Sequence, residues 1–246
     1  MHALPKSRMN FLDKNVKQSQ NEIASYVGRL LRDAFGKGPQ SVFVSINRPY
    51  IVIYLRNFLS PTEKILLRQD QLLSIQHTRD LVMRSLIPEI KAYLLIHTGM
   101  EICEFYYDWA LHNQSGVFVG IGSDDDYHFT ASIHEEYLGR EALHQKVEQI
   151  SRQIQKSPED IYSYMINERT LVVIRKGILI SIGKEFIRLG FEESLKIAER
   201  NLEKRHLHNN NAHFQHILHS GIMDVFTDWD FHLDKGIIVF ILNPSQ

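Results

Sequence analysis

Residues able to do acid–base or metal chemistry recur at matched places in this 246-residue chain. Asp108 and His112 are four apart, and so are Asp228 and His232. A carboxylate and an imidazole on one face could form an acid/base or metal-binding pair. Along a strand, however, four residues span about 13 Å, too far for direct contact. A plainer reading fits the same spacing. The aspartate would bond turn amides at a strand end, and the histidine would sit near a hairpin whose turn needs Gly116 or Gly236.

A second group is His206, His208, His213, His216 and His219, interrupted by Asn209–Asn211. Steps of three keep His213, His216 and His219 within about a third of a helix circumference, which suits an imidazole-only zinc or nickel site. No Asp or Glu lies among these three to orient the rings, so a solvated, pH-responsive helix face is the preferred reading. Asp124-Asp125-Asp126 lacks the spaced ligands of a cation loop and reads as a solvated linker. Lys37, between Gly36 and Gly38, follows a helix instead of opening one, so a helix stop is favoured over a phosphate cradle. Tyr106 and Tyr107, without interleaved basic residues, read as core and not as a base-stacking platform. Cys103 lies in an apolar run and is expected to be a small core residue. These motifs assign no catalytic residue, no cofactor and no resident metal.

Composition narrows the partners. Twenty-eight Lys+Arg against 29 Asp+Glu give a net charge of -1, which argues against broad attraction to nucleic acid. One cysteine excludes an internal disulfide framework. No apolar run approaches the roughly 18 residues of a membrane span, and Met1 to Lys14 has no apolar signal core. A cytoplasmic globular protein is expected.

The chain repeats itself at a spacing of 120. Ile46, Asn47, Val52, Leu59, Lys64 and Arg68 meet Ile166, Asn167, Val172, Leu179, Lys184 and Arg188. Asp108, Trp109, His112, Gly116, Val119 and Ile121 meet Asp228, Trp229, His232, Gly236, Val239 and Ile241. Both tryptophans of the chain fall in register. Self-similarity at a fixed period marks a duplication. The division is an N-terminal arm at 1–14, repeats at 15–122 and 139–246, and an acidic linker at 123–138.

Each repeat reads helix, strand pair, helix, strand pair. Gly36-Lys37-Gly38-Pro39 stops the first helix. Strands over 41–47 and 50–58 flank Arg48-Pro49. Ser60-Pro61-Thr62-Glu63 is a capping box, opening a helix towards His97 that Pro88 should kink or interrupt. In the second repeat one helix is expected over 183–219. Ile51–Leu55 and Ile237–Leu242 are apolar at every position, as in strands covered on both faces. Alternation turns Trp109 towards the helices and Asp108 and His112 away. The fold class is α+β: two homologous α-β-β-α-β-β repeats, each an antiparallel four-stranded sheet with helices on one face, packed as a pseudo-twofold pair.

The Gly36–Pro39 stop, the hairpin, and Leu59-Ser60-Pro61-Thr62-Glu63-Lys64-Ile65-Leu66 leading a long helix resemble the MpsC-like (YbcI-like) bacterial family. The second repeat follows it more faintly, with Lys156-Ser157-Pro158 at the stop and Ile182-Gly183-Lys184-Glu185 at the helix start. The resemblance implies a non-catalytic accessory or regulator of a sodium-translocating, membrane-potential-generating or bicarbonate-uptake system. It implies protein partners such as transporter subunits, a place at the inner face of the membrane, and no catalytic residues. A homodimer is compatible with it. Candidate interaction residues are Lys37, Lys64, Lys184, Asp108, His112, Asp228 and His232. The alternative is a small-molecule or metal sensor using the inter-repeat cleft or the histidine-rich helix.

Overall fold

A computed structural model describes residues 6–123 and 136–243, with side chains of the first helix from residue 16 onward. The first series is α1 (Lys6–Phe35), β1 (Ser41–Asn47), β2 (Tyr50–Arg56), α2 (Pro61–Arg68), α3 (Leu72–Thr98), β3 (Ile102–Ala110) and β4 (Ser115–Gly122). The second is α4 (Arg140–Ile154), β5 (Asp160–Asn167), β6 (Thr170–Lys176), α5 (Ser181–Arg188), α6 (Glu192–Asn209), α7 (Asn211–Leu218), β7 (Ile222–Asp230) and β8 (Lys235–Leu242). Strands β2, β3 and β4 map onto β6, β7 and β8 by the 120-residue step, and α2 maps onto α5. Residues 1–5 of the expected arm and Asp124–Asp126 of the expected linker lie outside the described residues.

The sheets run β1-β2-β4-β3 and β5-β6-β8-β7. Asn47 pairs with Tyr50, leaving Arg48-Pro49 as the hairpin turn. The central strands are buried on both faces, as their unbroken apolar runs require: Ile51, Val52, Ile53 and Leu55 are at most 1% exposed. By compactness the chain divides into Met1–Phe105 with Leu111–Thr130, and Tyr106–Ala110 with Ala131–Gln246. The end of β3 therefore belongs to the second unit.

Helical spacing positions the cores. Ile23, Val27 and Leu31 recur every four residues on α1 and are buried, as are Met83, Leu86, Ile90 and Leu94 on α3. In the second unit, Leu143, Val147 and Ile150 of α4, Leu207 of α6 and Phe214 and Ile217 of α7 share one cluster with sheet residues. Those residues are Leu171, Val173, Val225, Ile238, Phe240 and Leu242, alternate positions along their strands and so one sheet face.

Three expectations are corrected. Pro88 does not interrupt its helix; α3 runs through it to Thr98. The break lies earlier, where Asp70 (φ 55°) turns the chain between α2 and α3, and Gly190 (φ 83°) does the same in the second repeat. The single helix expected over 183–219 is three, with a further break at Asn210. Cys103 is exposed, because β3 is an edge strand whose first half is incompletely covered.

The Ser60 cap forms as read. Its Oγ accepts the Glu63 N–H at 3.3 Å, and its own N–H donates to Glu63 Oε2 at 2.7 Å. At the equivalent place Ile180 offers α5 no side-chain cap. Ser60→Ala is expected to cost about 1 kcal/mol, read as a lower urea midpoint at unchanged m-value, whereas Ile180→Ala removes no cap bond.

Candidate functional site

The duplicated aspartates are buried in the second unit, where the end of β3 meets α6 and β7. Asp108 Oδ2 accepts the Thr227 N–H and Asp228 Oδ2 accepts the Tyr107 N–H, both at 2.9 Å. Since 107 and 227, and 108 and 228, are repeat equivalents, each aspartate caps the other copy's strand. The cations come from one stripe of α6, because Lys196, Arg200 and Lys204 stand four apart. Lys204 Nζ reaches Asp108 Oδ1 at 2.6 Å and the Trp109 carbonyl at 2.7 Å. Arg200 Nη2 donates to Asp228 Oδ1 at 2.9 Å, and Lys196 Nζ lies 3.0 Å from the same oxygen. Lys196 and Arg200 also sit 5.4 and 5.5 Å from the Tyr107 ring centre.

Asp108, Asp228 and Arg200 are each 1% exposed, so their charges persist only through these partners. Burial raises the Asp108 carboxyl above its ordinary range against the pull of Lys204 and Arg200, and burial lowers the Lys204 ammonium. Asp228 goes the other way. Burial opposes its charge, but Lys196, Arg200 and the Tyr107 N–H together outweigh it and hold the carboxyl below the usual range.

A second buried pair lies alongside. Arg175 of β6 meets Glu203 of α6, with side chains 1% and 0% exposed. Arg175 Nη1 donates to Ser151 Oγ at 3.0 Å, and its guanidinium lies 5.4 Å from the Trp229 ring centre. Glu203 Oε2 accepts the Trp229 Nε1–H at 3.0 Å and the Thr227 hydroxyl. Burial and the neighbouring Glu203 raise the Glu199 carboxyl one turn away, which accepts a bond from Gln155.

At the places of Arg175 and Glu203 the first repeat has Leu55 and Met83, both fully buried. Its own buried pair sits elsewhere. Arg79 clasps Glu63 at 2.6 and 2.9 Å and the Phe58 carbonyl at 3.0 Å, where the second repeat has Glu199 and Gly183. Each copy thus carries one interior arginine–glutamate pair, built from different positions.

The remaining sequence candidates scatter. His112 is exposed while Asp108 is buried, so the two share no site. His232 is exposed and lies 3.6 Å from Glu192, apart from Asp228's partners. His213, His216 and His219 are exposed, and the rings of the last two are 6.1 Å apart. Among the described residues no three His, Cys, Asp or Glu side chains are placed to hold a metal ion. Lys37 donates to the Leu59 carbonyl at 3.3 Å, Lys64 is exposed, and Lys184 lies 3.6 Å from Asp234.

Sequence reasoning missed a hydroxyl cluster in which buried Ser163 lies 2.6 Å from His144 Nε2 and 2.7 Å from the Tyr137 hydroxyl. Burial, with Arg140 nearby, lowers the His144 pKa. It also missed a surface stripe. Ile182, Phe186 and Leu189 follow one helical face at 58, 43 and 54% exposure, and Phe191, at 53%, packs edge-on against Phe186. The first repeat has Thr62, Leu66, Gln69 and Gln71 there. Only the alignment of the two copies flags the change.

Two outcomes are expected. Glu203→Met should cost about 3–5 kcal/mol by stranding Arg175, and adding Arg175→Leu, the first repeat's pair, should recover most of it in a double-mutant cycle of urea unfolding. Asp228, depressed when folded, stabilises above its ordinary value of 3.8, and that contribution is lost as pH falls through its lower folded value. Asp228→Asn should flatten this acid limb in denaturation followed from pH 6 to pH 2.

Comparison with known proteins finds one family twice along the chain. The family described as Na+-translocating membrane potential-generating system (MpsC) matches residues 15–123 and again 138–244. The uncharacterised protein YbcI of Bacillus subtilis (strain 168) is 28% identical over 109 residues, 44% of this chain and 88% of that protein. No solved structure matches. With both repeats covered, the chain belongs to the MpsC family as a tandem duplication.

Proposed function

We propose that this protein is a non-catalytic accessory or regulatory component of a sodium-translocating, membrane-potential-generating system. It works at the inner face of the membrane by contact with the subunits that carry the ion. No helix among the described residues is long and apolar enough to cross a membrane. Family membership supplies the system, and the α5 stripe supplies the contact. Four large apolar side chains around one short helix are costly to leave in water, and contiguous patches of this kind mark interaction surfaces. The first repeat has Thr62, Gln69 and Gln71 at three of the four places, so the fold does not need those three apolar side chains for its core. The duplicated aspartates and the α6 cations, meanwhile, are spent on one another inside the second unit, which supports a scaffold in preference to a reaction centre.

The test is co-purification from detergent-solubilised membranes of the producing cell, using the tagged full-length chain. The ion-translocating subunits should be recovered in stoichiometric amount, and Phe186→Glu with Leu189→Gln should reduce recovery at least tenfold while circular dichroism stays unchanged. Recovery that is absent with the unaltered chain, or indifferent to the substitutions, would overturn the reading.

A further inference from the structure

The reciprocal bonds between Asp108 and Thr227 and between Asp228 and Tyr107 have the form of an isologous contact, in which residue i meets j and j meets i. A contact of that form in a duplicated chain has three sets of partners open to it: unlike repeats, two first repeats, or two second repeats. The cations decide among them. Lys196, Arg200 and Lys204 all lie on α6, while the equivalent first-repeat positions hold Gln76, Asp80 and Arg84. Asp228 with its three cations sums to +2, and Asp108 alone contributes -1. Like pairing would give +4 or -2 around a contact whose aspartates and arginine are 1% exposed, whereas unlike pairing gives +1. Buried like charges are strongly repelled, so the balance discriminates.

We propose that the α6 cations make this docking edge selective: it accepts the Tyr107-Asp108 strand end of a first repeat and rejects a second copy of itself. The kind of partner it fits is an extended segment carrying a buried carboxylate beside an aromatic ring. Tyr107 supplies the ring that Lys196 and Arg200 approach, and the first repeat's strand end meets the requirement within the same chain. The two tethered repeats therefore satisfy each other, and chains do not join through this edge as like pairs.

The folded full-length chain tests this when cut at a protease site introduced between residues 124 and 135. Isotopically light and heavy cut preparations are mixed and read by native mass spectrometry. The fragments should stay as one-to-one complexes of unlike halves, with no pair of like halves at any mixing ratio. Arg200→Asp should weaken that complex about a hundredfold or more, as like charges then face Asp108 and Asp228. Pairs of like halves, halves that drift apart, or an Arg200→Asp complex of unchanged affinity would each overturn the proposal. Should Arg200→Asp fail to fold, the exchange products of the unaltered cut chain still decide it.

Discussion

The second unit is governed by one constraint: a carboxylate at 1% exposure must find its hydrogen bonds and counter-charge inside the protein. Asp108 and Asp228 meet it by capping backbone amides and by facing the α6 cations. That requirement fixes the rotation of α6, since the stripe 196-200-204 must turn towards the strand ends while Glu203 and Leu207 turn into the core. It also fixes β3, whose last five residues group with the second unit and not with the strands that precede them in sequence.

Such interiors are seldom the most stable choice. A well-packed apolar set of similar volume does as well or better than a buried ion pair, and what charges add is discrimination. The two copies illustrate both solutions. Leu55 and Met83 fill in one copy the space that Arg175 and Glu203 fill in the other. The first repeat places its own pair, Arg79 with Glu63, where a capping box already orders the carboxylate, so one glutamate caps a helix and neutralises an arginine.

Much of the architecture was legible in the chain. The 120-residue step gave the repeat, both hairpin pairs, the Ser60 cap and the doubly buried central strands, because each rests on local periodicity or on a signal within a few residues. The helix breaks were misplaced because Pro88 is a louder signal than Asp70, whose left-handed backbone is rare for a residue with a side chain. The charge cluster was illegible for another reason. Its members are separated by 24 to 121 residues and follow no motif spacing. Asp108 was noticed, but the neighbour assigned to it was His112, four positions along, whereas its partners lie on α6 and β7. The resemblance that named the family rests on turns and caps, which explains why it fixed the fold and left the charged interior unread.

The unlike interiors of the two copies bear on the gene as well as on the protein. Twin coding segments invite recombination, and a crossover between the first hairpin of one copy and the long helical region of the other would set Arg175 opposite Met83, or Leu55 opposite Glu203. Either hybrid strands an ion in a dry core.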